Sequence, residues 1–302
     1  MKKKILITGG TGFIGSNVKN NLSNYDFSIL TVGRSEKEDF KIDLCDPKFK
    51  NIVEEFLPDV ICHFASGSSI MRANENKEKE FNDSVLSTEA LIKNLSYLKS
   101  KPEKIIYLSS QAVYGFPEYL PVPESHPTHP STIYGENKLK TEDVIIKSSL
   151  NYVIFRISSL YGLMQDHRRS GVIAKFINRM KDNQSPIVFN SIDLYSDFIY
   201  VDDLVSAIIK VILDSSQIKD KIYNIGSGKP TKLKEILNIL YKYFPHAPEP
   251  EFETNTLYPG KEQKGLYLDV TKIQTDLNWT TKYNIEEGLR LMVENVKHTE
   301  KV

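Results

Sequence analysis

Short apolar runs recur through the first half of the chain, each followed by a longer amphipathic stretch. Residues 4–7, 27–32, 59–64, 104–108 and 152–156 are rich in isoleucine and valine and read as strands. Their apolar positions are consecutive rather than alternating, which is the pattern of a sheet covered on both faces. The segments between them carry helical spacing, the first over 16–22. The alternation predicts an α/β fold, a doubly wound parallel sheet with helices on both sides.

The second half is less regular. Helices are predicted over 172–180, 203–213, 233–243 and 285–296, with Asp202 as N-cap of the second. Residues 221–225 read as a strand that stops at Gly226-Ser227-Gly228, and 245–250 is a proline-rich break. The change in pattern places a division at 158/159. A larger domain covers 1–158 and a smaller α/β lobe 159–302, with the chain crossing back around 196–214.

Composition narrows the classes of function. Lysine plus arginine is 39 and aspartate plus glutamate is 39, so the formal charge is zero. Broad binding to nucleic acid or to an anionic membrane surface needs a basic excess and is not expected. Cys45 and Cys62 build no disulfide framework, and neither they nor the six histidines have metal-ligand spacing, so no metal is expected. His126 and His129, flanked by prolines, read as surface histidines. The first apolar run ends after Ile5-Leu6-Ile7, too short for a signal or membrane segment, which makes the cytoplasm the default location. Only seven of the 39 basic residues are arginines, so the position of each arginine is informative.

The first strand runs directly into Gly9-Gly10-Thr11-Gly12-Phe13-Ile14-Gly15, which opens a helix. Glycines let the backbone approach a pyrophosphate, and the helix N-terminus supplies free N–H groups and partial positive charge. This is a dinucleotide-binding turn by both pattern and position. An acid at the tip of the second strand would hold the ribose 2′-hydroxyl of NAD. That tip is Gly33-Arg34-Ser35, a guanidinium and a hydroxyl that suit a 2′-phosphate, so NADP(H) is favoured and NAD(H) is the alternative. Asp43-Leu44 is placed to reach the adenine amine. Further on, Tyr134 and Lys138 stand four residues apart, on one helix face. An ammonium one turn from a phenol lowers its pKa and makes it an acid/base usable near neutrality. Ser110, after the strand over 104–108, is a hydroxyl that can share a substrate oxygen with Tyr134.

With these motifs in order, the chain resembles the extended short-chain dehydrogenase/reductase family, the NAD(P)-dependent epimerases, dehydratases and reductases of sugar nucleotides. The resemblance is carried by the glycine turn, by Pro58-Asp59-Val60-Ile61-Cys62-His63-Phe64-Ala65, by Ser109-Ser110-Gln111-Ala112-Val113-Tyr114-Gly115 and by Tyr134-Gly135-Glu136-Asn137-Lys138. It continues through 155–162, 197–204, 223–228 and Leu277-Asn278-Trp279. It implies a Rossmann fold with a substrate-binding lobe. It implies that Gly9, Thr11, Gly12, Phe13, Ile14, Gly15, Phe64, Ala65, Ser66, Leu108, Ser109, Ile157 and Ser158 line the dinucleotide, with Arg34, Ser35, Asp43 and Leu44 at its adenosine end. Tyr134 would be the catalytic acid/base, Lys138 would bind the nicotinamide ribose, and Ser110 would hydrogen-bond the reacting sugar oxygen. Ser68, Ser69, Gln111 and Ser159 would face a nucleotide-sugar substrate. A homodimer is implied as well, through helices that include Leu91, Leu95 and Leu98, and a setting in polysaccharide biosynthesis.

Departures from the family pattern sharpen the activity. Dehydratases of the family carry an acid pair after the catalytic hydroxyl, and here those positions are Gln111 and Ala112, which carry no proton. Many members grip a substrate diphosphate with two arginines, and here those positions are Ser196 and Tyr258. Arg168 and Arg169 are the candidate replacements, with Lys261 behind them. With no acid at Gly33 and with Arg34 beside it, the favoured reading is an NADPH-dependent reductase of a nucleotide-linked keto-sugar. The alternative is a nucleotide-sugar 4-epimerase with tightly bound NAD. A non-catalytic dinucleotide-binding regulator is the alternative of another class, disfavoured because Tyr134 and Lys138 are both present.

Overall fold

The computed structural model describes residues 2–67, 70–165, 171–214, 218, 221–254 and 265–299. Its elements in chain order begin β1 (Lys3–Thr8), α1 (Phe13–Leu22), β2 (Phe27–Gly33), β3 (Phe40–Lys41), α2 (Phe49–Phe56) and β4 (Val60–His63). Next come α3 (Ile70–Glu75), α4 (Lys77–Phe81), a π-helical turn (Asn82–Leu86), α5 (Ser87–Ser96), β5 (Lys104–Ser110), a 3-10 turn (Gln111–Tyr114), α6 (Ile133–Ile146) and β6 (Tyr152–Ile157). The remainder is β7 (Ser159–Tyr161), α7 (Val172–Lys181), β8 (Ile187–Phe189), β9 (Tyr195–Tyr200), α8 (Val201–Leu213), β10 (Lys221–Ile225), β11 (Pro230–Lys232), α9 (Leu233–Tyr243), β12 (Glu251–Glu253), α10 (Thr271–Leu277) and α11 (Ile285–Thr299).

The chain divides into two compact units. The first is Met1–Phe116, Glu124–Ile157 and Val205–Tyr223, and the second is Pro117–Pro123, Ser158–Leu204 and Asn224–Val302. Beyond a simple break at 158/159, the chain also leaves the first unit over Pro117–Pro123, and it returns over Val205–Tyr223.

The first unit is built on a seven-stranded sheet in the order β10-β6-β5-β4-β1-β2-β3. From β6 to β3 every registered pair is parallel. This is the doubly wound Rossmann arrangement. One face of the sheet carries Leu6, Ile61, Ile105, Tyr107 and Ile154, packed against Phe49 and Val53 of α2, Leu91 and Leu95 of α5, and Ile145 of α6. Leu98 lies in the same cluster. The three leucines assigned to a dimer contact are therefore core side chains, because the spacing that suits an interface also suits packing on a sheet. Strand order reverses between β1 and β4, and in open α/β sheets ligands bind beyond the C-terminal ends of the strands at such a point.

The second unit has a three-stranded sheet, β11-β9-β7, and a two-stranded one, β12-β8. Asp197 on β9 is fully buried and accepts from the Ser227 amide (2.6 Å), the Ser227 hydroxyl (2.7 Å), the Gly228 amide (3.1 Å) and the Leu268 amide (3.2 Å). Asp203 accepts from the Lys282 and Tyr283 amides, and its carbonyl accepts from the Trp279 indole. Three of the motifs that carry the resemblance are thus two carboxylate-centred knots that tie loops. The helix α8 starts at Val201, so Asp202 sits in its first turn, where a carboxylate also suits the helix dipole, and is not the N-cap. His126 is buried, its ring edge-on to Tyr114 at 6.0 Å between centroids, because the proline-rich loop folds back on that tyrosine.

Candidate active site

The glycine turn follows β1 as the sequence pattern requires. Gly9 has φ +71° and its amide donates to Val32 O at 2.8 Å, which ties the turn to β2. A Cβ on Gly15 would stand 2.2 Å from Gly9 O, so α1 packs onto the turn at a distance only glycine allows. Gly12 caps α1 without a side-chain hydrogen bond, and the first turn, which begins at Phe13 and Ile14, holds no acid. The helix therefore presents uncapped N–H groups, an anion-binding end. Thr8 Oγ1 accepts from the Phe64 and Ala65 amides, which brings the end of β4 beside the turn.

Glu38 is the residue that sequence reasoning missed. It follows the β2 tip by five positions, too far to be read as the strand-end acid. The loop after Gly33 folds back, with the Glu38 amide donating to Ser35 O at 3.2 Å, and delivers the carboxylate to the glycine turn. Its Oε1 accepts from the Thr11 amide (2.9 Å) and the Thr11 hydroxyl (2.8 Å). Its Oε2 is buried and has no partner among the described residues. A buried lone carboxylate oxygen beside a dinucleotide turn is an acceptor waiting for a donor.

Arg34 stands differently from its sequence assignment. Its guanidinium is engaged end-on by Asp83, with Nη1 donating to Oδ1 at 2.6 Å and Nη2 to Oδ2 at 2.9 Å, and Asp43 lies 4.0 Å away. The bidentate carboxylate raises its pKa and takes the fork a phosphate would need. Ser35 accepts from the Lys37 amide within the loop, Asp43 accepts from the Cys45 amide, and Leu44 is packed in the core.

Ser110, Tyr134 and Lys138 are brought together. Ser110 ends β5, its hydroxyl accepts from the Ala112 amide, and it lies near enough to Tyr134 to pull the phenol's pKa down. The helix α6 opens with Thr132, whose hydroxyl caps the Gly135 amide at 3.1 Å and so fixes the turn that carries Tyr134. A Cβ on Gly135 would stand 2.5 Å from Ala112 O, and the missing side chain is what lets α6 approach the Ser110 turn. Lys138, one helical turn on, is buried and donates to Ser66 Oγ (2.9 Å) and Leu108 O (2.8 Å).

The electrostatics run against the simple tyrosine–lysine argument. Tyr134 is pushed up to about 12, chiefly by burial, with the Ser110 hydrogen bond opposing and the negative Glu80 adding to the rise. The Lys138 ammonium is committed to Ser66 and Leu108 and lies 5.6 Å from the Tyr134 ring centroid, so loss of water outweighs it. Lys138 itself is lowered to about 8 by burial, with Glu80 and Glu142 holding it up.

Ser109 turns to the other side of β5 and donates to Glu142. Glu142 is locked to Arg156, which donates to both its oxygens, and the guanidinium lies 5.0 Å from the Tyr114 ring centroid. The side chain of Ser109 therefore belongs to this buried pair. Glu142 follows Lys138 by four positions, a signal available in the sequence as an acid on the same helix face. Gln111 begins the 3-10 turn, and Ile157 pairs with Ser110 across the sheet. In the second unit the Ser158 amide donates to Ile225 O while its hydroxyl is buried without a partner among the described residues. There too, the Ser159 and Ser196 hydroxyls lie 2.7 Å apart. Ser68, Ser69, Arg168, Arg169, Tyr258 and Lys261 lie outside the described residues.

Fold and glycine turn define the class: a Rossmann-type α/β protein with an open dinucleotide turn. A model of the NAD dependent epimerase/dehydratase family matches residues 5–226. The chain is 33% identical to a protein of Methanocaldococcus jannaschii named putative UDP-glucose 4-epimerase, over 97% of this chain and 98% of that one. It is 26% identical to a dTDP-4-dehydro-6-deoxyglucose reductase of Escherichia coli, over 98% of each. Among solved structures it is similar to the UDP-glucose 4-epimerase of Thermotoga maritima with UDP-glucose, at TM-score 0.89 and 26% identity, covering 98% and 99% of the two chains. The chain belongs to the NAD dependent epimerase/dehydratase family and is an enzyme of that family. Among the described residues no helix is long and apolar enough to cross a membrane.

Proposed function

We propose that the protein is an NAD-dependent 4-epimerase of a nucleotide-linked sugar, which reverses the order in which reductase and epimerase stand on sequence alone. The observation that carries this reading is the pair Glu38 and Arg34. A buried carboxylate oxygen without a partner at the adenosine end fits a ribose hydroxyl and repels a 2′-phosphate, while the arginine that favoured NADP(H) is held by Asp83. An epimerase reuses its dinucleotide, whereas a reductase draws NADPH from solution. The 33% identical relative named as an epimerase supports the same order. The reductase remains the second reading, favoured by the 26% identical Escherichia coli relative.

The residues fit the group. Gly9, Gly12 and Gly15 with the α1 N-terminus would hold the pyrophosphate, Glu38 the adenosine ribose, and Lys138 the nicotinamide ribose. When bound, the oxidised dinucleotide supplies a hydride acceptor and a positively charged ring. Tyr134, with that charge and the Ser110 hydroxyl offsetting the rise that burial imposes, would take the proton of the sugar C4 hydroxyl. Ser110 holds the same oxygen. Tyr134 would return that proton to the same oxygen when C4 is restored from its other face, so that proton and hydride both come back to the sugar with no net consumption. Ser159 and Ser196 stand as proposed substrate contacts. Replacing Tyr134→Phe is expected to lower turnover of UDP-glucose or UDP-galactose by about 10²–10⁴-fold while the enzyme still binds NAD. A turnover within a fewfold of wild type would refute the assignment.

A further inference from the structure

Beneath Lys138 lies a chain of hydrogen bonds that the proposed reaction does not use. Lys138 Nζ donates to Ser66 Oγ at 2.9 Å, Ser66 Oγ meets Ser84 Oγ at 3.4 Å, and Ser84 Oγ donates to Glu80 Oε1 at 3.2 Å. The Gly67 amide also donates to Ser84 Oγ at 2.9 Å, which pins the central hydroxyl. Glu80 is 5% exposed, an unusual depth for a carboxylate on a short surface helix. Its place is built: a Cβ on Gly67 would stand 1.5 Å from Glu80 Oε1, so the chain is bare where the carboxylate lies. The π-helical turn Asn82–Leu86 directly after α4 carries Ser84, and such turns gather at functional sites.

We propose that Glu80 is a positioning residue which, through Ser84 and Ser66, fixes the Lys138 ammonium in place and keeps it charged. The proposal rests on the reading of Lys138 as the cofactor-ribose ligand, and it adds the group that maintains that lysine. A buried ammonium is costly unless a carboxylate compensates it. The groups facing Glu80 are Ser84, Lys138, Arg72 and Asp83, and burial raises its pKa while the first three lower it. Those facing Lys138 are Glu80 and Glu142, the Tyr134 ring, the Tyr107 ring at 5.1 Å from its centroid, and neutral His63. Arg156 engages both oxygens of Glu142 and offsets its charge, which leaves Glu80 as the carboxylate with most effect on the lysine.

The test reads Lys138 directly. In protein labelled with ¹³Cε-lysine, the Lys138 signal is assigned by its loss in Lys138→Arg and followed with pH. Wild type is expected to titrate at about 8. Glu80→Gln is expected to titrate about one pH unit lower, and the alkaline limb of kcat/KM moves with it. Ser84→Ala, which leaves the carboxylate but cuts the chain, moves the titration the same way by less, and Glu80→Asp restores most of it. Unchanged Lys138 titration in both Glu80→Gln and Ser84→Ala, with folding intact by circular dichroism, would overturn the proposal. Failure to turn over any sugar nucleotide would count against the proposed function alone, since the titration needs no substrate.

Discussion

Glu38 decides more than its position in the sequence announces. A carboxylate that takes both the amide and hydroxyl of Thr11 and keeps one buried oxygen open is preorganised for a ribose hydroxyl. Replacing Glu38→Ser removes a charge-assisted hydrogen bond worth about 1.5–3 kcal/mol, so NAD affinity falls roughly tenfold or more. The same change removes the repulsion against a 2′-phosphate, so NADP affinity rises. Titration calorimetry with both dinucleotides checks this, and an unchanged ratio of the two affinities would show that Glu38 does not select. The glycines, Tyr134 and Lys138 were legible because each is fixed by local spacing on one element. Glu38, Glu80 and the capture of Arg34 by Asp83 were not, because each depends on a loop or helix folding back across many positions.

Among the elements, α6 carries the largest load. It carries Tyr134, Lys138 and Glu142 at four-residue spacing along one face, and Arg156 of β6 meets Glu142 with 1% and 7% side-chain exposure for the acid and the base. Breaking a buried pair from one side leaves the partner charged and dry. Glu142→Gln is therefore expected to destabilise the protein by about 3–5 kcal/mol, measured by urea unfolding. Arg156 Nη1 also donates to the Tyr114 hydroxyl (3.2 Å) and to Glu124 O (3.3 Å), and a loss below about 1 kcal/mol would mean that these two satisfy it unaided. Strands were legible in the apolar runs, as 27–32 against Phe27–Gly33 illustrates. Helix starts were less so: α1 begins at Phe13 and not at 16, because Gly12 caps it through backbone alone. Leu91, Leu95 and Leu98 show the remaining ambiguity, since periodicity gives a helix face without saying what covers it.

For the whole molecule, zero net charge conceals a specific distribution of ionised groups. Arg34 and Arg156 are each locked to a carboxylate of the first unit, and Glu38 and Glu80 are buried beside the proposed cofactor and catalytic groups. The family was legible in motifs spread along the chain, whereas the choice between reductase and epimerase turned on a folded loop. The most direct measurement is to incubate the purified enzyme with UDP-glucose or UDP-galactose deuterated at C4, following products by NMR and nicotinamide absorbance together. Epimerisation predicts inversion at C4 with the deuterium retained there and no net change in reduced nicotinamide. Failure to invert these sugars, with stoichiometric oxidation of NADPH when a keto-sugar nucleotide is supplied, would contradict it.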